Sequence, residues 1–123
     1  TVLTSVSESD LNDLGYKESL SLKQLVLDRA SLAEESGCAG VVCSGEEVAL
    51  IKKSCGKNFK AVVPGIRPVW ADVKKDDQSR IVTPKAAISD GADLIVVGRP
   101  IRDAEEPGLA AQKIVEEIES AAI

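Results

Sequence analysis

Histidine and methionine are absent from these 123 residues, and phenylalanine, tyrosine and tryptophan occur once each. Without imidazole the chain lacks the commonest metal ligand and the usual neutral-pH acid–base group. Three cysteines (Cys38, Cys43, Cys55) make an odd set with no CxxC pair, so neither a zinc site nor a disulfide framework is expected. They read as small, buried, reduced thiols of a cytoplasmic protein. Aromatics at 2% leave the core to Val, Ile, Leu and Ala. No run approaches the roughly 18 apolar residues of a membrane span, and no signal peptide is visible. Lys/Arg-rich runs are also missing and the formal net charge is −5, which argues against nucleic acid or an anionic membrane as partner.

What is present, 44% hydrophobic and 28% charged residues, suits one soluble domain with a modest core. The opening Thr1-Val2-Leu3-Thr4-Ser5 reads as the tail of a strand and carries no initiator Met, which points to a piece of a longer or nicked chain. A short helical turn is expected from Ser7 to Leu14, closed by Gly15. Leu22, Leu25, Val26, Ala30 and Ala33 fall on one face of a helix over Ser21–Glu35, with Gly37 as its stop. Gly40-Val41-Val42-Cys43 is a short buried strand. Ser44 then caps a helix, with Glu47 completing a capping box and Gly56 ending it.

Lys60 to Val63 is the next strand, followed by a long polar connection from Pro64 to Val82. Thr83-Pro84 opens a helix, with Thr as cap and Pro at the first position, and Gly91 stops it. Asp93 to Val97 is the last strand. Pro107 to Ala121 is the last helix, with Ala111, Ile114, Val115, Ile118 and Ala122 along one face. Apolar strands alternating with helices define an α/β chain with parallel strands covered on both faces. The order predicts four β/α units, the C-terminal half of a TIM (β/α)8 barrel, whose full length is roughly 250 residues. A four-strand open sheet of this kind leaves edges that need a partner.

Two strand ends carry the chemistry. Val62-Val63-Pro64-Gly65-Ile66-Arg67-Pro68 and Ile95-Val96-Val97-Gly98-Arg99-Pro100-Ile101 each stop at a Gly and deliver an Arg. Glycine lets the backbone approach a ligand, and arginine supplies a fixed fork of donors for phosphate oxygens. One such arginine is a solvated turn residue; two after consecutive strands point to an anion site, where barrels place phosphate. The Pro64–Val82 connection exceeds the two to six or so residues usual for a β/α loop, which suits a lid or binding loop. Its Gln78 could donate to a phosphate oxygen, although Asp76-Asp77-Gln78-Ser79-Arg80 also reads as solvated surface. Asp72-Val73-Lys74-Lys75-Asp76-Asp77 matches a D-x-K-x-x-D spacing, but without a strand before it the match reads as coincidence. In a barrel, Thr4 and Ser5 fall on the same rim as the arginines, where their hydroxyls could contact a ribose, phosphate or base edge, although two such residues alone read as turn initiation.

Taken in order and spacing, five segments resemble the C-terminal half of bacterial orotidine 5′-phosphate decarboxylases. They are Thr1-Val2-Leu3-Thr4-Ser5, Gly40-Val41-Val42-Cys43-Ser44, Pro64-Gly65-Ile66-Arg67-Pro68, Asp77-Gln78-Ser79-Arg80-Ile81-Val82-Thr83-Pro84 and Val97-Gly98-Arg99-Pro100-Ile101. The resemblance implies a β/α barrel that converts orotidine 5′-phosphate to uridine 5′-phosphate and CO2 in de novo pyrimidine biosynthesis. It also implies a homodimer that uses no metal or organic cofactor. On that resemblance Arg67, Gln78, Gly98 and Arg99 grip the 5′-phosphate, Gly98 through its backbone N–H. Thr4 lines the nucleotide site, Ser5 reads the pyrimidine edge and Pro64 packs beside the base. The family's catalytic Asp-Lys-Asp cluster and its ribose-contacting Asp and Lys belong to strands absent here, so an N-terminal half is the implied partner and the chain alone is expected to be inactive. Two other readings stay open: a related phosphosugar enzyme, such as a keto-sugar-phosphate decarboxylase or hexulose-phosphate synthase, and a non-catalytic half-barrel that binds phosphate.

Overall fold

The computed structural model describes residues 2–17, 19–71 and 80–121. Its elements are α1 (Glu8–Asp13), α2 (Leu22–Glu35), β1 (Gly40–Val42), a 3-10 turn (Gly45–Glu47), α3 (Val48–Cys55), β2 (Lys60–Val63), α4 (Pro84–Ser89), β3 (Leu94–Ile95), α5 (Arg99–Arg102) and α6 (Pro107–Ala121). The strands form a parallel sheet in the order β1-β2-β3, so chain neighbours are also sheet neighbours. The register pairs Val41 with Ala61 and Val63 with Ile95. Each crossover is helical, as parallel pairing requires.

Local chemistry explains the boundaries. Ser21 accepts a hydrogen bond from the Gln24 N–H at 3.1 Å and starts α2 one residue later than expected. Thr83 accepts from Ala86 N at 3.2 Å, with Pro84 opening α4 as predicted. At α1 the Asp10 carboxylate accepts from both the backbone N–H and the hydroxyl of Ser7, each at 2.7 Å. Glu8 in turn accepts from the Leu22 N–H at 3.0 Å, which ties α1 to the start of α2.

Several expectations need correction. The first segment is not a strand among the described residues: Val2 donates one ladder-type bond to Val42 O at 2.8 Å, and Leu3 then turns out of extended geometry with φ of 34°. The last strand is shorter than Asp93–Val97. Ser44 does cap the turn after β1, accepting from Glu46 N at 3.3 Å, but Glu47 completes no capping box because Arg80 takes its carboxylate. On α6, Ala110 and Ile114 are buried whereas Val115 is half exposed. Cys43 alone of the cysteines is buried; Cys38 is exposed. Burial pushes the Cys43 thiol up to about 11, against the pull of the Lys52 and Arg80 charges.

The core is aliphatic. Val26, Ala30, Val48, Ile51, Ala61, Val63 and Ile66 are fully enclosed between the sheet, α2 and α3. Each such Val or Ile contributes about 1.5–3 kcal/mol of transfer free energy. Gly40 sits so close to β2 that an added Cβ would lie 2.1 Å from Lys60 O, so only glycine lets the two strands pair there. Trp70 docks on α6: its indole N–H donates to Glu117 Oε1 at 2.7 Å, and Lys113 Nζ lies 5.3 Å from the ring centre.

At the N-terminal end of the sheet one carboxylate holds three elements together. Asp93 accepts from Lys52 Nζ at 2.5 Å, Lys60 Nζ at 2.9 Å and Ala61 N at 2.9 Å. Partial burial acts to raise its pKa, but the donors from Lys52, Ala61 and Lys60 outweigh it and hold Asp93 well below the usual carboxylate range. A carboxylate depressed on folding stabilises the native state above its unfolded pKa and loses that contribution as the pH falls. The wild type is therefore expected to lose stability progressively below about pH 4. Asp93→Asn should cost about 1–3 kcal/mol at pH 7 and flatten the acid limb. Denaturant titrations at pH 7 and pH 3 check both, and an acid limb unchanged in Asp93→Asn contradicts the assignment.

Candidate functional site

Parallel pairing sends the C-terminal ends of β1, β2 and β3 to one rim, the end at which β/α folds bind ligands. After Val63 the chain passes through Pro64 and Gly65, whose φ of 72° turns the backbone in a way other residues resist. Ile66 pairs in parallel with Val82. Val82 N donates to Gly65 O at 3.2 Å and Arg67 N to Val82 O at 2.9 Å. The long connection thus returns its far end to the strand end it left. Arg67 is half-buried and folds back so that Nη1 donates to Ile66 O at 2.8 Å.

The next strand end has the same plan. Val96 N extends the ladder to Val63 O at 2.8 Å. Gly98 caps α5, its carbonyl accepting from Ile101 N and Arg102 N at 3.0 Å each. Arg99 opens that helix and Pro100 is buried behind it. A short extra helix after the last strand is the usual phosphate-binding element of a β/α barrel. An ideal Cβ built on Gly98 meets nothing within 4 Å, so no internal contact demands glycine there. Since Val63 and Ile95 are register partners, Arg67 and Arg99 each stand four residues beyond one paired level of the sheet.

Of the predicted site residues, the structure brings Pro64, Arg67, Gly98 and Arg99 to adjacent strand ends. Thr4 and Ser5 lie on the same rim but on the flank of β1 away from β2, where the Val2–Val42 bond places them. Gln78 and the Asp72–Asp77 spacing lie outside the described residues.

Sequence reasoning missed the polar centre of this rim. Arg80, read as part of a solvated loop, is 5% exposed. Its Nε donates to Glu46 Oε2 at 3.1 Å, its Nη1 to Leu3 O at 2.9 Å, and its Nη2 to Glu47 Oε1. Glu47 is 1% exposed, and its Oε2 finds no hydrogen-bond partner among the described residues. The available signal was weak: a charge two residues ahead of the apolar Val82 and the Thr83-Pro84 helix start, where the chain must re-enter the fold. Gly45 completes the junction, since an added Cβ would lie 2.4 Å from Val82 Cγ1.

Among the described residues there is no group of three or more His, Cys, Asp or Glu side chains able to hold a metal ion, and no helix long and apolar enough to cross a membrane. Two arginines and a glycine-capped short helix thus stand at the ends of adjacent parallel strands. The parallel sheet, its helical crossovers and this rim define half of a β/α-barrel protein.

Comparison with known proteins places it further. The sequence profile of the Orotidine 5′-phosphate decarboxylase / HUMPS family matches residues 1–114, and the chain belongs to that family. It is 51% identical over 123 positions to the orotidine 5′-phosphate decarboxylase of Desulfosudis oleivorans, covering 98% of this chain and 49% of that protein. The enzyme of Geobacter sp. strain M21 is 49% identical, with 96% and 48% covered. The crystal structure of the Lactobacillus acidophilus enzyme superimposes with a TM-score of 0.74 at 37% identity, over 94% of this chain and 46% of that one. The chain spans about half the length of the curated relatives it matches, and its parallel α/β fold is that of half of their barrel.

Gly45→Ala is expected to push Val82 aside and cost about 1–3 kcal/mol, the scale of overpacking at a closed contact. Urea denaturation measures it, and an unchanged midpoint would mean that Val82 yields freely.

Proposed function

We propose that this chain is the C-terminal, phosphate- and base-binding half of a single-domain orotidine 5′-phosphate decarboxylase. Together with an N-terminal half it converts orotidine 5′-phosphate to uridine 5′-phosphate and CO2, a step of pyrimidine biosynthesis. Arg67 and Arg99 hold the 5′-phosphate, the Gly98 N–H adds a donor at the start of α5, and Gln78 reaches in from the long connection. Thr4 lines the nucleotide site, Ser5 reads the pyrimidine edge and Pro64 packs beside the base. The observation that carries this reading is the matched offset of Arg67 and Arg99 beyond the paired residues Val63 and Ile95.

No residue of this chain touches the reacting bond in this scheme. The C6 carboxylate leaves as CO2, its bonding electrons remain on C6, and the proton that replaces it comes from a lysine of the N-terminal half. The contribution of these residues is binding energy. A phosphate remote from the reacting carbon can hold the site closed and dry in the transition state, so grip on it appears in the rate. The chain alone is inactive, and the assembled enzyme works as a cytoplasmic homodimer.

An intact-mass spectrum under denaturing conditions, taken on active material, reports whether the second half travels on the same polypeptide or a separate one. In the assembled barrel, release of labelled CO2 from the C6 carboxylate is the expected activity. Arg99→Ala should weaken uridine 5′-phosphate binding by about 2–5 kcal/mol, the cost of truncating one side of a desolvated charge pair. Unchanged affinity in that variant sinks the phosphate assignment, and preference for a pentulose phosphate over the nucleotide turns the reading to a phosphosugar enzyme.

A further inference from the structure

We propose that Arg80 is a positioning residue that sets the base-side segment Thr4–Ser5 against the phosphate-side strand end Gly65–Arg67; the proposal rests on the reading of the rim given above. Three residues, Arg80 to Val82, touch both sides. Arg80 Nη1 donates to Leu3 O at 2.9 Å, immediately before Thr4. Two residues on, Val82 pairs with both Gly65 O and Arg67 N.

The Leu3 contact falls where the backbone needs holding. With φ of 34°, Leu3 is the one non-glycine residue in the left-handed region among the described residues. For a side chain of this size that conformation is unfavourable, and it persists only when the surroundings impose it. Val2 N, bonded to Val42 O, fixes the segment from one side, and the Arg80 guanidinium fixes the Leu3 carbonyl from the other. Loss of the second hold frees the peptide that aims Thr4 and Ser5.

Stability alone does not account for the cluster. A buried ion pair recovers little more than its desolvation cost, and here Glu47 also keeps a buried oxygen without a partner among the described residues. Charge at this end of the sheet is therefore kept for what it orients. Only a planar fork can serve Glu46, Glu47 and the Leu3 carbonyl at once; a lysine can keep the charge opposite Glu47 but not the third contact.

The test uses the assembled barrel with two probes that share a phosphate, uridine 5′-phosphate and ribose 5-phosphate. Arg80→Lys is expected to weaken the nucleotide about tenfold, on the scale of small misplacements of a binding group, while ribose 5-phosphate changes less than about twofold. Equal losses for both probes, or no loss for either, overturn the positioning role. If Arg80→Lys does not fold, Glu46→Gln at the exposed partner reads the same split with a smaller amplitude. Wild-type protein that binds neither probe instead overturns the proposed function on which this inference rests.

Discussion

The positions of Pro64, Arg67, Gly98 and Arg99 derive from one constraint, the parallel register centred on β2. Val62 and Val63 pair outward to Leu94 and Ile95, while Lys60, Ala61 and Val62 pair back to Gly40, Val41 and Val42. Because all three strands run the same way, their C-terminal ends stop at one level. Whatever residues follow become neighbours without needing contact in sequence. Slipping the β2–β3 ladder by one residue would turn the side chains of β3 to the other face and separate Arg67 from Arg99 in depth. In the other ladder, the Gly40–Lys60 contact fixes the register of β1 on β2, since the two backbones meet too closely there for any other residue.

Charge is divided between the two ends of this sheet according to task. At the N-terminal end, Asp93 satisfies its carboxylate with two ammonium groups and a backbone donor, a closed arrangement suited to holding β2, β3 and α3 together. At the C-terminal end, buried Arg80 pairs with the buried Glu47 and the exposed Glu46, and one Glu47 oxygen has no partner among the described residues. The first cluster obeys the rule that buried polar groups be paired, and the second departs from it at the rim formed by the C-terminal strand ends.

Much of this was legible in the sequence. Strand-like apolar runs, the Thr83-Pro84 helix start and the Gly-Arg strand ends follow from local propensities, and local propensities are what a sequence displays. The failures share a cause in long-range pairing. Glu47 has the spacing of a capping box, yet an arginine 33 residues away wins its carboxylate. Arg80 sits among charges that suggest solvent, and only the closing of the connection onto β2 buries it. Leu3 carries no sign of its left-handed turn, because that conformation is imposed from outside. The short helix α5 went unread, although Pro100 occupies a first-turn position where proline is at home.

The docking of Trp70 on α6 has an optical consequence. It is the single indole in the chain, and it sits three residues past Arg67, wedged between an ammonium and a carboxylate. Its emission therefore depends on the local field and on how firmly the turn after β2 is seated. The chain carries its own fluorophore on the connection that leaves β2, so the seating of that connection on α6 is open to spectroscopy without any added label.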